Sequence, residues 1–250
     1  MVSIYYLYNH PILSDIIYDN DSKKLRDFLK DNEVSIVALN LCLLSAAQND
    51  VLNAEIVYEL LKSGANPNIC DKNGETPLSL ICIRSENIDA ISHLIDFGMI
   101  LNTKDNESGN SPLHNVSTIG NIEIMKILLE HGADPNAINN EKKTSLHCLA
   151  NNPEQVDGSV ISKAIRLLSK YPIDINAQDE DGYTPIYSAV YEQNIEAIQS
   201  LAEIGANWNI RAGCRFSPLE STLYSNVVGS LKFEMLAIMK CVFLYQHLGY

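Results

Sequence analysis

Asn121–Asn136 reads NIEIMKILLEHGADPN, and variants of this stretch recur along the chain. Two variants are close, NAEIVYELLKSGANPN at Asn53–Asn68 and NIEAIQSLAEIGANWN at Asn194–Asn209, and NIDAISHLIDFGMILN at Asn87–Asn102 is weaker. Internal repetition on this scale is typical of proteins built from stacked repeats. The repeat therefore directs the search for function towards a surface rather than a catalytic pocket.

One copy of the repeat predicts one amphipathic helix, Ile122–Glu130. Ile124, Ile127 and Leu128 follow one another at helical spacing and form a single apolar stripe. Gly132 comes just after this helix, where glycine adopts the left-handed conformation that ends a helix at low cost. A unit of this size cannot bury its apolar stripe alone, so neighbouring copies are expected to stack.

A second motif precedes most copies of the repeat. It reads TPLS at Thr76–Ser79, SPLH at Ser111–His114, TSLH at Thr144–His147, TPIY at Thr184–Tyr187 and SPLE at Ser217–Glu220. Serine or threonine can cap the N-terminus of a helix, and proline suits the first helical position. Helix–turn–helix repeats of about 33 residues that carry threonine-proline-leucine-histidine are the ankyrin pattern. The chain resembles the ankyrin-repeat family from about residue 36 to about residue 245.

The resemblance implies an all-α fold, an ankyrin-repeat solenoid of about seven helix–turn–helix units with hairpin loops. We expect residues 1–250 to form a single ankyrin-repeat domain with an N-terminal cap unit at 1–34. The other units are predicted at about 35–69, 71–104, 105–137, 139–177, 179–211 and 212–250.

The last predicted unit indicates that the protein continues beyond residue 250. Its second helix, Phe233–Tyr245, has little polar surface, whereas a terminal unit should present polar groups to water. The alternative is a wide buried stripe, with Lys232, Glu234 and Lys240 facing solvent.

The formal net charge of −13 argues against several classes of partner. A nucleic-acid-binding protein needs a basic track to neutralise phosphates, and this chain has only isolated lysine pairs. A membrane surface is disfavoured for the same reason, so we expect neither nucleic acid nor membrane as a partner. The six cysteines show no metal-binding spacing. This favours reduced thiols, no metal site and a cytoplasmic location, with the nucleus as the alternative.

The residue patterns of common enzymes are missing from the sequence. It contains no HExxH, no GxSxG and no GxxxxGKS or GxxxxGKT motif. His114 and His147 occupy the histidine position of the ankyrin motif, where the resemblance implies a structural hydrogen bond rather than catalysis. We therefore expect no enzymatic activity and no cofactor.

Partner-binding residues can be transferred from the ankyrin family, in which hairpin tips and the exposed side of the first helices contact other proteins. The candidates are Arg84, Ile119, Lys143, Asn151, Asn152, Glu180, Asp181, Tyr183, Tyr191, Glu192, Trp208, Arg211, Phe216 and Tyr224. The sixth and seventh units are rich in tyrosine, tryptophan and arginine, which interface hot spots favour. We therefore expect the C-terminal half to be the main contact surface. The alternative for Tyr191 and Trp208 is that their rings pack between neighbouring repeats.

Asn136 has two interpretations. Leu128, Asp134 and Asn136 resemble the L-x5-D-x-N context in which asparaginyl hydroxylases modify ankyrin repeats. The resemblance thus implies a hydroxylation site at Asn136. The alternative is that this asparagine only ties its hairpin together.

The abundance of Asn, Ile, Tyr and Asp and the irregular repeats resemble the ankyrin-repeat proteins of poxviruses. Many of those proteins act in host range or immune evasion. The resemblance implies a viral adaptor in the host-cell cytoplasm that binds a host innate-immune or cell-death signalling protein. It would block that protein or direct it to ubiquitin-dependent degradation, through a cullin-type ubiquitin ligase bound by a C-terminal segment outside this chain. The alternatives are a cellular or bacterial-effector ankyrin scaffold or inhibitor, and the substrate-recognition part of a cullin-type ubiquitin ligase.

Overall fold

The structure is a computed structural model that describes residues 11–84, 87–151, 156–213, 216–218 and 220–221. Within these ranges the regular structure consists of helices, with no strand. The helices are Pro11–Tyr18 (α1), Ser22–Asp31 (α2), Ile36–Ala47 (α3), Ala54–Lys62 (α4), Pro77–Arg84 (α5), Ile88–Asp96 (α6), Pro112–Ile119 (α7), Ile122–Glu130 (α8), Ser145–Ala150 (α9), Gly158–Leu168 (α10), Pro185–Tyr191 (α11) and Ile195–Glu203 (α12).

The helices occur in consecutive pairs. In the pairs α5–α6, α7–α8 and α11–α12, the first helix follows the threonine or serine motif and the second helix lies in the repeated stretch. α7 begins at Pro112, directly after Ser111, and α8 spans Ile122–Glu130, the helix that the apolar stripe predicts. Both helix predictions are therefore confirmed.

An asparagine at the start of the repeated stretch begins the second helix and also joins it to the preceding pair. The side-chain oxygen of Asn87 accepts the N–H of Ala90 at 3.0 Å, which caps α6. Its amide nitrogen donates to the carbonyl oxygen of Leu52 at 2.8 Å, before α4. Asn194 acts in the same way, because its amide nitrogen donates to the carbonyl oxygen of Ala150 at 3.2 Å. One side chain thus serves both the helix and the stacking of repeats.

The glycines of the repeat end the second helices through their backbone conformation. Gly64, Gly98, Gly132 and Gly205 have φ angles between 85° and 102°. Side chains with a Cβ disfavour this left-handed region. A Cβ built on any of the four would meet no atom within 4 Å, so the φ angle rather than crowding requires glycine. The helix end predicted at Gly132 is confirmed.

The chain divides into two compact units, the first of which comprises residues up to 115 and residues 130–133. In this unit α1 packs on α2 and α3, α2 packs on α4, α3 packs on α4 and α5, and α4 packs on α6. Arg26 of α2 joins the first helix pair to the second. Its Nε donates to Glu59 at 2.6 Å, and its terminal nitrogen donates to Glu55 at 2.8 Å.

The second unit comprises residues 116–129 and the residues from 134 onward. Here α9 packs on α10 and α11, and α12 packs on both α10 and α11. Ile165, Ile198 and Leu201 are fully buried in this core. Burial of each such side chain stabilises the fold by about 1.5–3 kcal/mol relative to exposure. Arg166 and Glu203 form an exposed ion pair between α10 and α12 at 2.8 Å.

The predicted unit boundaries and the continuation beyond residue 250 stay predictions. Residues 222–250, which include the predicted helix Phe233–Tyr245, lie outside the described residues. Helix pairs do lie within the predicted ranges, with α3 and α4 in 35–69 and α11 and α12 in 179–211.

Candidate functional site

The hairpin before α11 is held by a buried aspartate. Asp179 is buried, and its Oδ1 accepts the N–H groups of Asp181 at 3.1 Å and of Tyr183 at 2.8 Å. The backbone N–H of Asp179 donates to the carbonyl oxygen of Tyr183 at 2.9 Å, which closes the hairpin. The hydrogen bonds of Asp179 therefore hold the turn that presents Glu180 and Asp181.

His147 of the preceding repeat also holds this hairpin, through a hydrogen bond from its imidazole ring. Its Nδ1 accepts the backbone N–H of Thr144 at 3.1 Å and lies 3.0 Å from the Thr144 hydroxyl. Because Nδ1 is an acceptor, the ring proton lies on Nε2, which donates to the carbonyl oxygen of Tyr183 at 3.0 Å. His114 likewise accepts the backbone N–H of Ser111, at 3.2 Å. The structural role that the ankyrin resemblance implies for these histidines is confirmed.

Neighbouring hairpin tips are joined through their backbones. The N–H of Glu180 donates to the carbonyl oxygen of Glu141 at 2.9 Å, and the N–H of Gly213 donates to that of Asp181 at 2.9 Å. In the first unit, the N–H of Asn106 donates to the carbonyl oxygen of another tip residue, Asn73, at 2.8 Å. These bonds use main-chain groups and do not engage the side chains of Glu180, Asp181 and Asn106.

Three tyrosines of the sixth repeat form what we call the tyrosine stack. The rings of Tyr183 and Tyr187 are nearly parallel, with an interplanar angle of 7° and centroids 4.5 Å apart. The rings of Tyr183 and Tyr191 follow at 6.4 Å and 24°. Exposure increases along the stack, since Tyr187 is buried, Tyr183 is half-buried and Tyr191 is 66% exposed. The stack therefore links the hairpin tip to the end of α11.

Tyr187 is the member of the stack that the sequence analysis did not select. It occupies the histidine position of the motif, because this repeat reads TPIY where two others read SPLH and TSLH. That substitution was the available signal. A tyrosine at a position that normally holds a buried imidazole indicates a local change in how the hairpin is packed.

Most predicted contact residues lie at the surface. The exposed residues are Arg84, Ile119, Glu180, Asp181, Tyr191, Glu192, Arg211 and Phe216, and the half-buried ones are Lys143, Asn151 and Tyr183. Asn152 and Tyr224 lie outside the described residues. Arg84 belongs to the first unit, whereas the others just named as exposed or half-buried belong to the second.

Trp208 requires a correction. Its side chain is only 8% exposed, so it packs in the interior instead of lining a contact surface. An indole ring buries a large apolar area, which favours the interior over a hairpin surface. Among the described residues, no group forms a hydrogen bond with its indole N–H. The packing alternative thus applies to Trp208, while Tyr191 remains largely exposed.

Charged candidates differ in whether their charge is paired. Lys143 lies 2.6 Å from Glu141, and Arg211 lies 3.0 Å from Glu220. The backbone N–H of Ser217 and the Arg211 charge hold the pKa of Glu220 below its ordinary value. In contrast, the carboxylates of Glu180, Asp181 and Glu192 form no ion pair within the described part of the chain.

Asn136 joins its hairpin to the next one. Its amide nitrogen donates to the carbonyl oxygen of Pro172 at 2.7 Å, and its side-chain oxygen accepts the N–H of Asp174 at 2.7 Å. Asn68 makes the same pair of bonds, to Gly98 at 3.1 Å and from Ile100 at 2.7 Å. This geometry favours the structural interpretation, and hydroxylation of Asn136 stays a prediction.

The described residues contain no group of three or more His, Cys, Asp or Glu side chains that could hold a metal ion. No helix among them is both long and apolar enough to cross a bilayer. Cys42, Cys70, Cys82 and Cys148 are free thiols, the first and third of them buried.

Comparison with known protein families agrees with this architecture. A family model described as ankyrin repeats (3 copies) matches residues 43–139 and 103–179, and one described as ankyrin repeats (many copies) matches residues 163–219. The chain belongs to the ankyrin-repeat family. The predicted all-α ankyrin-repeat fold is thus confirmed. Ankyrin repeats are an interaction scaffold, so this ankyrin-repeat chain is a protein–protein interaction module.

Curated relatives come from viruses, animals and plants. A fowlpox virus protein named as ankyrin repeat protein FPV031 is 30% identical over 164 residues, or 65% of this chain and 47% of that protein. The nuclear factor NF-kappa-B p105 subunit of Gallus gallus is 30% identical over 169 residues, or 66% of this chain and 16% of that protein. An Arabidopsis thaliana protein named as E3 ubiquitin-protein ligase XBAT35 is 34% identical over 95 residues, or 38% of this chain and 21% of that protein.

The chain therefore spans less than half the length of these relatives. The predicted resemblance to poxviral ankyrin-repeat proteins is confirmed at 30% identity.

Proposed function

We propose that this ankyrin-repeat chain is a viral adaptor that binds a host innate-immune or cell-death signalling protein, and acts by binding rather than by catalysis. The fowlpox relatives and the composition support the viral origin. Binding would either block the partner or direct it to ubiquitin-dependent degradation. The adaptor would act in the host-cell cytoplasm, with the nucleus as the alternative.

The observation that carries this proposal is the tyrosine stack in the second unit. Tyr191 is 66% exposed although it is a large aromatic side chain. Tyrosine is enriched in the residues that dominate binding energy at interfaces, because it offers a large contact area and loses little conformational entropy. The stacked ring of Tyr183 holds this contact residue beside an acidic hairpin tip.

A capture experiment with a double variant tests the proposal. Purified chain and its Tyr183→Ala/Tyr191→Ala variant are used as bait in animal-cell lysate, and captured proteins are identified by mass spectrometry. We expect the double variant to lose specific signalling proteins that the natural sequence retains, while circular dichroism shows an unchanged helix content. Tyr18→Ala is the matched control, because Tyr18 is a tyrosine of the first unit that is 85% exposed.

Two outcomes would contradict this function. If the double variant captures the same proteins as the natural sequence, the tyrosine stack is not the contact surface. If the captured proteins are general cellular components without innate-immune or cell-death members, a cellular or bacterial-effector scaffold explains the chain better than a viral adaptor.

A second candidate function is substrate recognition for a cullin-type ubiquitin ligase. The similarity to a protein named as an E3 ubiquitin-protein ligase favours it over simple blocking, although the aligned part covers only 21% of that protein. Under this function, the longest product of the gene should co-purify with a cullin, and the captured partner should become ubiquitinated. A captured partner that stays unmodified while its activity falls would instead support blocking alone.

A further inference from the structure

We propose that the tyrosine stack and the three carboxylates of Glu180, Asp181 and Glu192 form a receptor for arginine side chains. The partner would then present a basic, arginine-containing segment to the second unit. This inference rests on the proposed function and specifies the chemistry of its partner.

The aromatic part of the receptor is already assembled. Tyr183 lies parallel to the buried Tyr187 at 4.5 Å, which fixes its ring, and Tyr191 follows at 6.4 Å. The outer ring is exposed and has room for a ligand on its surface. A guanidinium group stacks on tyrosine faces and is attracted by the negative potential of the ring.

The acidic part of the receptor comes from both sides of the stack. Glu180 and Asp181 precede Tyr183 in the hairpin tip, and Glu192 follows Tyr191 at the end of α11. The contact between Tyr183 and Tyr191 brings these two segments together. The three side chains are exposed, and within the described residues none of their carboxylates is part of an ion pair.

Other glutamates of the chain differ from these three carboxylates, because they form ion pairs with arginine. Glu55 and Glu59 bind Arg26, and Glu203 binds Arg166. Among the residues that the structure describes, the carboxylates of Glu180, Asp181 and Glu192 have no such partner, and the chain as a whole carries a net charge of −13. A cationic group is therefore the complementary ligand, and it would be attracted from a distance as well as on contact.

The hairpin tip is also preorganised. The Asp179 side chain accepts backbone N–H groups of the turn, and His147 donates a hydrogen bond to the carbonyl oxygen of Tyr183. The carbonyl oxygen of Asp181 accepts a hydrogen bond from the N–H of Gly213 at 2.9 Å. A surface that does not need to be ordered on binding loses less entropy, so a larger share of the contact energy becomes affinity.

Arginine fits this surface better than the alternatives. Its planar group can stack on a ring and donate to carboxylates at the same time, whereas lysine offers a compact charge with three donors. An apolar ligand would remove the carboxylates from water without compensating hydrogen bonds, which is costly. An anionic ligand would be repelled.

The experiment measures binding of a fluorescent peptide of four glycine–arginine repeats by anisotropy, at one fixed ionic strength. A peptide of four glycine–lysine repeats has the same charge and serves as the comparison. We expect the natural sequence to bind the arginine peptide more tightly than the lysine peptide. Tyr191→Leu should weaken binding of the arginine peptide about two- to fivefold and reduce the preference over lysine. Glu192→Gln should weaken binding of both peptides, by up to about fivefold.

Two controls separate this receptor from general attraction to an acidic protein. Tyr18→Leu removes an exposed tyrosine elsewhere, and Glu123→Gln removes an exposed carboxylate elsewhere, so neither should change the affinity. The proposal is overturned if the natural sequence binds neither peptide or shows no preference for arginine. It is also overturned if Tyr191→Leu and Glu192→Gln behave like the two controls.

The peptide measurement and the capture experiment can fail separately. Loss of captured signalling proteins in Tyr183→Ala/Tyr191→Ala, together with no arginine preference, would keep the proposed function and reject the arginine receptor. Arginine-selective binding without any captured signalling protein would keep the receptor and reject the proposed function.

Discussion

The buried imidazole of His147 donates from Nε2 to the backbone carbonyl oxygen of Tyr183, 3.0 Å away. One end of this hydrogen bond lies in the core of the fifth repeat, and the other end lies in the hairpin that carries the candidate contact residues. The internal histidine therefore determines where the first ring of the tyrosine stack is placed. Surface recognition and core packing are coupled at this point.

Replacing this histidine should destabilise the fold. His147→Ala removes a buried ring and leaves the Thr144 N–H without its acceptor, so we expect the free energy of unfolding to fall by about 2–4 kcal/mol. Urea unfolding followed by circular dichroism measures the change. His131→Ala is the control, because His131 is exposed at the end of α8 and should cost far less. Equal losses for the two variants would show that the buried ring of His147 and its hydrogen bonds contribute no more than an exposed histidine does.

The left-handed glycines should be sensitive to any Cβ. Gly205 has a φ of 95°, and a Cβ there would touch nothing within 4 Å. Gly205→Ala should therefore lower the free energy of unfolding by about 1–2 kcal/mol through backbone strain alone. Gly205→Asn should cost less, because asparagine tolerates this conformation. The same urea titration tests both variants. An unchanged free energy of unfolding for Gly205→Ala would contradict the requirement for glycine at this φ angle.

The ion pairs of Arg26 and Arg166 should differ in their contribution to stability. Glu59 is only 7% exposed, so Arg26→Met leaves a buried carboxylate without its cation. Arg166 and Glu203 are both exposed, and such pairs contribute little. We expect Arg26→Met to lower the urea midpoint clearly and Arg166→Met to leave it nearly unchanged. The reverse order would contradict the burial argument.

Thiol reactivity should report on the burial of the cysteines. Burial raises the pKa of Cys42 to about 12 and that of Cys148 to about 11, and it also raises the pKa of the buried Cys82. Because the thiolate is the reactive form, these three thiols should react slowly at pH 8 and faster only as the pH approaches those values. Cys70 is exposed and should react at once.

A disulfide exchange reagent measures this difference in a Cys214→Ser/Cys241→Ser background, which removes the two cysteines outside the described residues. We expect one fast thiol in the folded protein and four in urea. Fast reaction of Cys148 in the folded state would show that its surroundings open readily.

Asn136 should stabilise the contact between hairpins. Asn136→Ala removes the bonds to Pro172 and Asp174, and we expect a loss of about 1–2 kcal/mol in the free energy of unfolding. Asn68→Ala should give a similar loss, since Asn68 makes the equivalent bonds. A loss confined to one of the two variants would contradict the shared role.

Hydroxylation is tested on the same pair of asparagines. Mass spectrometry of protein from animal cells should show an added oxygen at Asn136 if an asparaginyl hydroxylase recognises it. Asn68 is the internal control, because Asn66 replaces the aspartate two residues before it. An unmodified Asn136 would leave only its structural role.

Local signals in the sequence were sufficient to predict helices and the residues at which they begin and end. Ser111 and Pro112 predict the start of α7, and Gly132 predicts the end of α8, because capping and left-handed backbone conformations depend on residues that are close in the chain. The apolar stripe within α8 likewise identifies its buried face. Transfer from the family motif, in turn, selected the half-buried Tyr183 and the exposed Tyr191.

The sequence by itself thus determined the repeat and its helices, while the contact surface that it predicts stays a prediction. Only the tertiary structure decided that Trp208 is buried, that Tyr187 completes the tyrosine stack and that His147 fixes Tyr183. The reason is that the residues that decide these contacts are far apart in the sequence. Whether a ring faces solvent or a neighbour depends on residues of adjacent repeats, and their positions are set by stacking rather than by the local pattern.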